Sequence, residues 1–145
     1  MTPAAEAGIH GSCIAFGPER GVLILGPSGS GKSGLALSLM SLGAELVADD
    51  RTLLSVRDGR LEARAPIPIA GLIEARGVGL LRVVPLAVAR VVLAIDLGIM
   101  ESDRLPASRQ RDFNGIMLPV LHKIEASHFP AAILYYLKGM TRDRS

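Results

Sequence analysis

The sequence predicts an α/β fold with a mixed sheet, in which a hairpin leads into a glycine-rich loop and helices flank the sheet. Residues 26–33 read Gly-Pro-Ser-Gly-Ser-Gly-Lys-Ser, which is the G-x-x-x-x-G-K-[ST] pattern of a phosphate-binding loop. A buried-strand pattern precedes this loop and an apolar helix face follows it. Aromatic residues make up only 3% of the chain, so the core must consist of Leu, Val, Ile and Ala packed between sheet and helices.

Seven segments have the apolar or alternating pattern of strands, and in chain order they are residues 11–16, 22–25, 45–48, 52–57, 60–64, 91–95 and 116–124. Glycine and proline in residues 17–21 predict a turn, so the first two strands form a hairpin. The Asp58-Gly59 pair is a strong signal for a second hairpin. Pro119 is expected to break the last strand. Hairpins next to a phosphate loop make the sheet mixed rather than all parallel.

Two helices and a proline-containing connection complete the predicted elements. The first helix begins at Lys32, and Gly43 is its expected C-cap. The second helix covers residues 130–140. Prolines 66 and 68 predict an extended connection between the second hairpin and the glycine-rich residues 71–79.

The length of 145 residues fits one domain, which we expect to span residues 1–145. Its ends, residues 1–8 and 139–145, are predicted to be flexible. Residues 98–114 are polar and typical of an exposed, mobile loop. Cys13 lies in an apolar strand pattern and is predicted to be a core residue.

Composition excludes several classes of protein. The formal net charge is only +2 and the basic residues are dispersed, which argues against nucleic acid as the main ligand. No apolar run approaches the roughly 18 residues of a membrane span. A single cysteine rules out an internal disulfide and agrees with a reducing compartment. The sequence therefore predicts a cytoplasmic protein without a membrane partner.

The glycine-rich loop is the predicted nucleotide site. Glycines at its turns allow successive N–H groups to face one concavity, and the helix that follows directs its positive end toward the phosphates. Lys32 reaches the β- and γ-phosphates of ATP, and the Ser33 hydroxyl can hold Mg²⁺. The predicted nucleotide-binding residues are Gly26, Pro27, Ser28, Gly29, Ser30, Gly31, Lys32 and Ser33.

Two adjacent carboxylates, Asp49 and Asp50, end the strand that follows the first helix. Strand ends of an open α/β sheet converge on the ligand crevice, so one carboxylate could face Mg²⁺ and the other the acceptor. Neighbouring residues of a strand point to opposite faces, so the pair takes different roles unless the backbone turns there. An exposed acidic turn is the alternative interpretation.

Isolated charges also occur in the apolar, glycine-rich residues 71–81. Glu74 could complete the Mg²⁺ shell with Ser33, because this cation prefers oxygen ligands and keeps several waters. A structural ion pair between Glu74 and Arg76 is the alternative. His10 taken alone is typical of an exposed histidine with no role.

Five motifs together resemble the bacterial HPr kinase/phosphorylase family, specifically a short form that contains only the C-terminal catalytic domain. They are His10-Gly11, the loop at 26–33, Leu-Val-Ala-Asp-Asp at 46–50, Ile-Glu-Ala-Arg-Gly-Val-Gly at 73–79, and Asp-Arg-Leu at 103–105. The resemblance runs from about residue 10 to residue 105. It implies a PEP-carboxykinase-like phosphate-loop fold. It also implies an ATP- and Mg²⁺-dependent kinase that phosphorylates a serine of the phosphocarrier protein HPr in phosphotransferase-system regulation.

The same resemblance implies roles for the matched residues. Asp50 would accept the serine proton during phosphorylation and return a proton in the reverse direction. Lys32 would stabilise the transferred phosphoryl group. Ser33 and Glu74 would bind Mg²⁺.

Two further catalytic roles and the assembly state are also implied by the family. His10 would lie against Asp49 and Asp50 and tune their charge. Arg104 would reach the phosphates from a flexible loop. The family is typically hexameric, so a homo-oligomer is expected, with HPr or a paralogous phosphocarrier as the protein partner.

Family members also use phosphate to remove the phosphoryl group and release pyrophosphate, so both are possible ligands. Gly34 and residues 123–130 depart from the family pattern, and the latter lack the Arg- and Gly-containing loop associated with dephosphorylation. Two alternatives therefore stay open. One is a phosphate-loop kinase for a small-molecule hydroxyl, with residues 104–111 as its lid. The other is a nucleotide-binding sensor that has lost catalysis.

Overall fold

The computed structural model describes residues 7–142 of the chain. Within this range the strands are β1 Ala7–Ala15, β2 Gly21–Leu25, β3 Glu45–Ala48, β4 Arg51–Arg57, β5 Arg60–Arg64, β6 Leu72–Ala75, β7 Gly79–Arg82, β8 Ala89–Met100, β9 Gln110–Phe113 and β10 Ile116–Lys123. The α-helices of the same range are α1 Lys32–Ser41 and α2 Phe129–Arg142. Neither helix is both long and apolar enough to cross a membrane.

Eight of the strands form one mixed sheet with the order β2-β1-β4-β5-β8-β10-β9, to which β3 is added beside β1. Strand β2 pairs with both β1 and β8, so β1, β4, β5, β8 and β2 close into a ring. The pairs β2–β8 and β8–β10 are parallel, whereas β1–β2 and β4–β5 are antiparallel hairpins. The prediction of a mixed α/β fold with a hairpin before the loop is confirmed.

Alternation along the central strands divides the core into two layers. Ile14, Val22 and Ile24 face the helices, where Leu39 of α1 and Ile133 of α2 pack in the same cluster. The intervening residues point to the other side of the sheet, because successive strand residues alternate between faces. They fill the interior of the ring, in a cluster whose fully buried members include Cys13, Ala15, Leu23, Ala63 and Ala94.

The connection after β5 forms a second, two-stranded sheet. Residues 67–69 make a single 3₁₀ turn at the predicted proline-rich connection. Strands β6 and β7 then pair antiparallel, with Glu74 opposite Leu80. Ile73 is fully buried against the helix-side core, which fixes this hairpin beside α1. The sequence indicated the isolated charges of this segment but not its hairpin.

Pro119 does not break the last strand, contrary to prediction. The Val120 N–H donates to the Arg109 carbonyl at 3.0 Å, so the nitrogen of Pro119 points to the opposite edge of β10. On that edge the pairing with β8 starts only at Val120. The missing N–H of Pro119 therefore costs no ladder hydrogen bond.

The prediction of one exposed loop over residues 98–114 was also wrong in part. Strand β8 continues to Met100, and β9 pairs with β10 through a two-residue turn at Asn114 and Gly115, both of which have positive φ. At the chain ends, Ala7 and Gly8 belong to β1, and residues 139–142 belong to α2. The other residues predicted to be flexible, 1–6 and 143–145, lie outside the described residues.

Candidate nucleotide-binding and catalytic site

The glycine-rich loop connects the end of β2 to the start of α1, as the motif requires. Its glycines adopt positive φ at Gly26 (147°), Gly29 (83°) and Gly31 (101°). Gly31 is the N-cap of α1, and no side chain caps the helix. The first N–H groups of α1 therefore have no intrahelical partner, and the positive end of the helix dipole adds to them. This combination forms a site for an anion.

Lys32 is held against the loop that contains it. Its side chain is 7% exposed, and Nζ donates to the carbonyl oxygens of Gly26 at 2.8 Å and Pro27 at 3.1 Å. A Cβ at Gly26 would clash with the Ser30 hydroxyl oxygen, and side chains rarely accompany a φ of 147°, so this position favours glycine. The ammonium group and the free N–H groups together supply the positive charge that a polyphosphate needs.

Asp49 joins three elements at the base of the site. It is 7% exposed, and its Oδ1 accepts hydrogen bonds from the hydroxyls of Ser12 at 2.8 Å and Ser33 at 2.7 Å. Its Oδ2 accepts the backbone N–H of Glu74 at 3.1 Å. This carboxylate therefore ties β1, α1 and β6 together.

Asp50 turns away from its neighbour because the backbone leaves the strand there. Its φ is 68°, and its N–H donates to the Ser12 hydroxyl oxygen at 3.2 Å. The exposed carboxylate lies 3.0 Å from His10 Nε2, joining the two predicted residues. The backbone thus turns at Asp50, and the two carboxylates still lie in different surroundings, since Asp49 is buried and Asp50 is exposed.

A cleft of about 370 Å³ lies in front of the loop, within the usual size range for small-ligand sites. It is lined by Ser28, Gly29, Gly31, Lys32, Ser33, Gly34, Leu37, Asp50, Glu74 and Arg76. Five of the eight predicted loop residues therefore share one cleft with Asp50, which follows β3, and with Glu74 of β6.

Glu74 and Arg76 project from the β6–β7 hairpin into this cleft. Among residues 7–142 neither side chain forms an ion pair, so the alternative of a structural Glu74–Arg76 pair is not observed. No group of three or more His, Cys, Asp and Glu side chains in the described part of the chain suits a metal. Ser33 and Glu74 supply a hydroxyl and a carboxylate oxygen, which fit Mg²⁺ because it keeps several waters.

Arg104 is the predicted residue that stands apart. It is exposed in the connection between β8 and β9 and does not line the cleft. The base of this connection is fixed by Glu101, which pairs with Arg109. The hydrogen bond from Arg109, with N–H donors of residues 102 and 103, lowers the pKa of the Glu101 carboxyl.

Sequence reasoning missed several residues of the site. Ser12 bridges the two aspartates, and Lys123 donates to the Ser30 carbonyl at 3.2 Å from the end of β10. Gly34 and Leu37 extend the cleft along α1. Ser12 could have been noticed because it is a serine within an otherwise apolar strand. No sequence pattern indicated the contact of Lys123, because 93 residues separate it from Ser30.

The fold and site define a class, namely mixed α/β proteins in which a glycine-rich loop joins a strand of the sheet to a helix. Residues 2–96 match the family model of the HPr Serine kinase C-terminal domain. The chain belongs to this family. The matched region contains the loop, both aspartates and Glu74, and ends before Arg104.

Comparison with individual proteins agrees with this membership. The chain is 40% identical over 83 residues to an HPr kinase/phosphorylase of Clostridium beijerinckii, covering 57% of this chain and 27% of that protein. It is 53% identical over 62 residues to the protein of the same name from Bordetella pertussis, covering 42% and 20%. The matched part of the chain thus spans only about a fifth to a quarter of the length of these relatives.

A solved structure extends the likeness of fold to nearly the whole chain. The Hpr(Ser) kinase/phosphatase of Coxiella burnetii superimposes with a TM-score of 0.77 and covers 93% of this chain and 90% of that one. Sequence identity over the match is 23%, so it supports the architecture alone.

Proposed function

We propose that this chain is the catalytic domain of an ATP- and Mg²⁺-dependent protein serine kinase. Its acceptor would be HPr or a paralogous phosphocarrier in phosphotransferase-system regulation. The observation that carries the proposal is the meeting of Lys32, Asp50 and Glu74 in one cleft beside the phosphate-binding loop. Family membership and the names of the relatives support the choice of acceptor.

The predicted residues in and beside the cleft have separate tasks in this reaction. Lys32 and the N–H groups of the loop hold the β- and γ-phosphates of ATP. Ser33 and Glu74 would hold Mg²⁺, which would neutralise part of the phosphate charge. The acceptor serine oxygen forms a bond to the γ-phosphorus while the bond from that phosphorus to the ADP oxygen breaks. Asp50 takes the serine proton, and the neighbouring imidazole of His10 holds the carboxylate in place. Positioning and charge stabilisation are the main requirements of phosphoryl transfer.

Arg104 enters the proposal through its loop. The connection from Glu101 to Arg109 is closed at its base by their ion pair, and Arg104 lies exposed between them. From there the guanidinium would reach the transferred phosphoryl group when a nucleotide and the acceptor are bound. This movement is part of the proposal.

The test is transfer of label from [γ-³²P]ATP to purified phosphocarrier in the presence of Mg²⁺. We expect phosphoserine on the acceptor and none above background with Lys32→Ala. Tight ATP binding with no transfer to any phosphocarrier of the source organism would instead favour the inactive sensor. Transfer to a small-molecule hydroxyl alone would favour the small-molecule kinase.

A second activity, removal of the phosphoryl group by phosphate with release of pyrophosphate, is supported by the names of the relatives. The same cleft would accept phosphate as the nucleophile. Residues 123–130, which lack the family's Arg- and Gly-containing loop, comprise the last residue of β10, the connection at 124–128 and the first two residues of α2. Pyrophosphate release from phosphoserine-HPr and phosphate tests this activity.

A homo-oligomer, a hexamer by family resemblance, and a cytoplasmic location complete the proposal. Large apolar side chains are exposed on the surface, including Val78, Leu80, Val84 and Leu105. Contact between copies would cover such groups. Sedimentation equilibrium of the purified chain measures the assembly directly.

A further inference from the structure

Ser12 connects the two halves of the candidate site from within β1. Its side chain is fully buried, and Oγ donates to Asp49 Oδ1 at 2.8 Å while accepting the Asp50 N–H at 3.2 Å. We propose that Ser12 is a positioning residue, which fixes the proton acceptor Asp50 relative to the metal-binding hydroxyl of Ser33. This inference rests on the proposed phosphoryl transfer.

The hydrogen bonds form one continuous chain. The oxygen of Asp49 that accepts the Ser12 hydroxyl also accepts the Ser33 hydroxyl, at 2.7 Å. The chain therefore runs from the Asp50 backbone through Ser12 and Asp49 to Ser33. Consecutive hydrogen bonds of this kind polarise one another and rigidify the groups they join. A displacement at either end is transmitted to the other end by three short contacts.

The backbone of Asp50 needs such support. A φ of 68° lies in the left-handed region, which residues other than glycine adopt rarely, and such a conformation persists where its surroundings hold it. Strand β1 holds it on both sides, because the Gly11 N–H donates to the Asp50 carbonyl at 3.0 Å and Ser12 accepts its N–H. The carboxylate is exposed, so its direction depends on this backbone conformation together with the contact to His10.

Packing alone does not require a hydroxyl at this position. The next three residues of β1, Cys13, Ile14 and Ala15, are fully buried and carry no oxygen in their side chains. Alanine would fill the strand position without the cost of burying a polar group. Both hydrogen-bonding capacities of the hydroxyl are instead used on the acidic pair, which points to a role in the site.

Replacement of Ser12 by alanine tests this role. The Asp50 N–H then loses its acceptor and Asp49 Oδ1 loses one of two donors. With saturating MgATP we expect kcat for transfer to fall about 10- to 100-fold, because small misplacements of reacting groups cost this much. The gain in ATP affinity that Mg²⁺ provides should fall at least about threefold, because Asp49, the hydrogen-bond partner of Ser33, is held less firmly. Affinity for ATP without Mg²⁺ should not change.

Thr52→Val is the matched control, because Thr52 is also fully buried and its hydroxyl donates to the Gly11 carbonyl at 2.8 Å. It should lower the unfolding free energy without altering the Mg²⁺-dependent gain in ATP affinity. Ser12→Thr, which restores the hydroxyl, should recover most of the kcat. Calorimetric titration of ATP with and without Mg²⁺, kinetics, and urea unfolding provide the measurements.

The outcomes separate this inference from the proposed function. Absence of transfer in the unaltered protein would overturn the kinase, while the Mg²⁺-dependent ATP titration would still decide on Ser12. The positioning role would be overturned if Ser12→Ala and Thr52→Val had equal effects on kcat and on the gain in ATP affinity that Mg²⁺ provides. A loss confined to stability in Ser12→Ala would do so as well.

Discussion

The chemistry of single residues was predictable where it depended on local pattern. The phosphate-binding loop follows from eight consecutive residues, and its glycines take the positive φ angles that the motif needs. The juxtaposition of Asp50 and Glu74 was predicted through the family resemblance, and the structure places both in the cleft. Contacts such as Ser12 to Asp49, 37 residues apart, depend on the register between β1 and β3. The residue pattern within one segment does not specify how two strands are aligned with each other.

Asp50 provides the most direct test at this scale. Asp50→Asn keeps the size of the side chain and tolerates positive φ, but it removes the carboxylate that we propose takes the serine proton. We expect transfer to fall about 10²- to 10⁴-fold, the usual contribution of a general base, with ATP affinity nearly unchanged. Initial rates with labelled ATP and calorimetric titration check both parts.

The matched control for that variant is Asp58→Asn in the β4–β5 turn. Asp58 is likewise exposed and has a φ of 53°, but it lies outside the cleft. It should leave transfer within about twofold of the original rate, as expected of a surface position. Equal losses in the two variants, or full activity of Asp50→Asn, would contradict the assignment of the base.

At the scale of elements, the β1–β2 and β4–β5 hairpins and both helices were predictable from turn residues and hydrophobic pattern, whereas the β6–β7 hairpin and the polar edge strand β9 were not. Strand β9 reads Gln-Arg-Asp-Phe, which has too few apolar residues to indicate a strand. It exists because β10 offers an edge and the Asn114-Gly115 turn returns the chain to it. Strand β9 therefore forms because it pairs with β10, and the strand propensity of its own residues is too weak to predict it.

The β6–β7 hairpin depends on Gly71, which precedes it. Its φ is 80°, and an added Cβ would lie 2.7 Å from the Val83 carbonyl oxygen. Gly71→Ala should therefore destabilise the protein by about 1–3 kcal/mol and weaken Mg²⁺-dependent ATP binding, because Glu74 is displaced. Urea unfolding and calorimetry measure the two effects.

Gly139→Ala in α2 is the opposite control. It lies in a helix, and a Cβ there meets no atom within 4 Å. Alanine is favoured over glycine in a helix by up to about 1 kcal/mol, so this variant should be slightly more stable. A neutral Gly71→Ala with unaltered nucleotide binding would show that the hairpin does not depend on this glycine.

The ion pair that joins β8 to β9 gives a pH prediction. Burial alone would raise the pKa of the Asp96 carboxyl. Hydrogen bonds from Arg111 and from the Gly98 N–H, together with the charges of Arg111 and His122, outweigh burial and hold this pKa below its ordinary value. A carboxyl whose pKa is lower when folded stabilises the protein above about pH 4, and this stabilisation is lost as the pH falls through the folded pKa.

Arg111→Met removes this contribution. It should cost on the order of 1 kcal/mol of unfolding free energy at pH 7, and the difference from the unaltered protein should shrink as the pH falls below about 4. Denaturant unfolding across pH 2.5–7 measures this. Arg57→Met is the control, because Arg57 is exposed on β4 and forms no ion pair among residues 7–142. Its unfolding free energy should differ little from that of the unaltered protein, and this difference should not vary with pH. The prediction would be contradicted if Arg111→Met lowered the unfolding free energy by the same amount at every pH.

At the scale of the whole molecule, closure of five strands into a ring explains how a core with few aromatic residues is organised. The ring interior is filled by small and branched side chains on one face of the sheet, and the helices cover the other face. A mixed sheet could be predicted from two hairpin signals. The ring could not, because it requires β2 to pair with β1 and β8 at once, which is a property of the assembled strands.

The rate at which Cys13 is chemically labelled should measure how often this closed core opens. It is fully buried between strands, and burial raises the pKa of its thiol to about 12, although the Val22 backbone lowers it in part. Because the thiolate is the reactive form, iodoacetamide at pH 8 should label Cys13 only when the ring opens. MgATP at 100 times its Kd should slow labelling about 100-fold if opening destroys the nucleotide site. Lys32→Ala should abolish this protection. Rapid labelling of the native protein, or a rate indifferent to MgATP, would mean that β1 opens without disruption of the phosphate-binding loop.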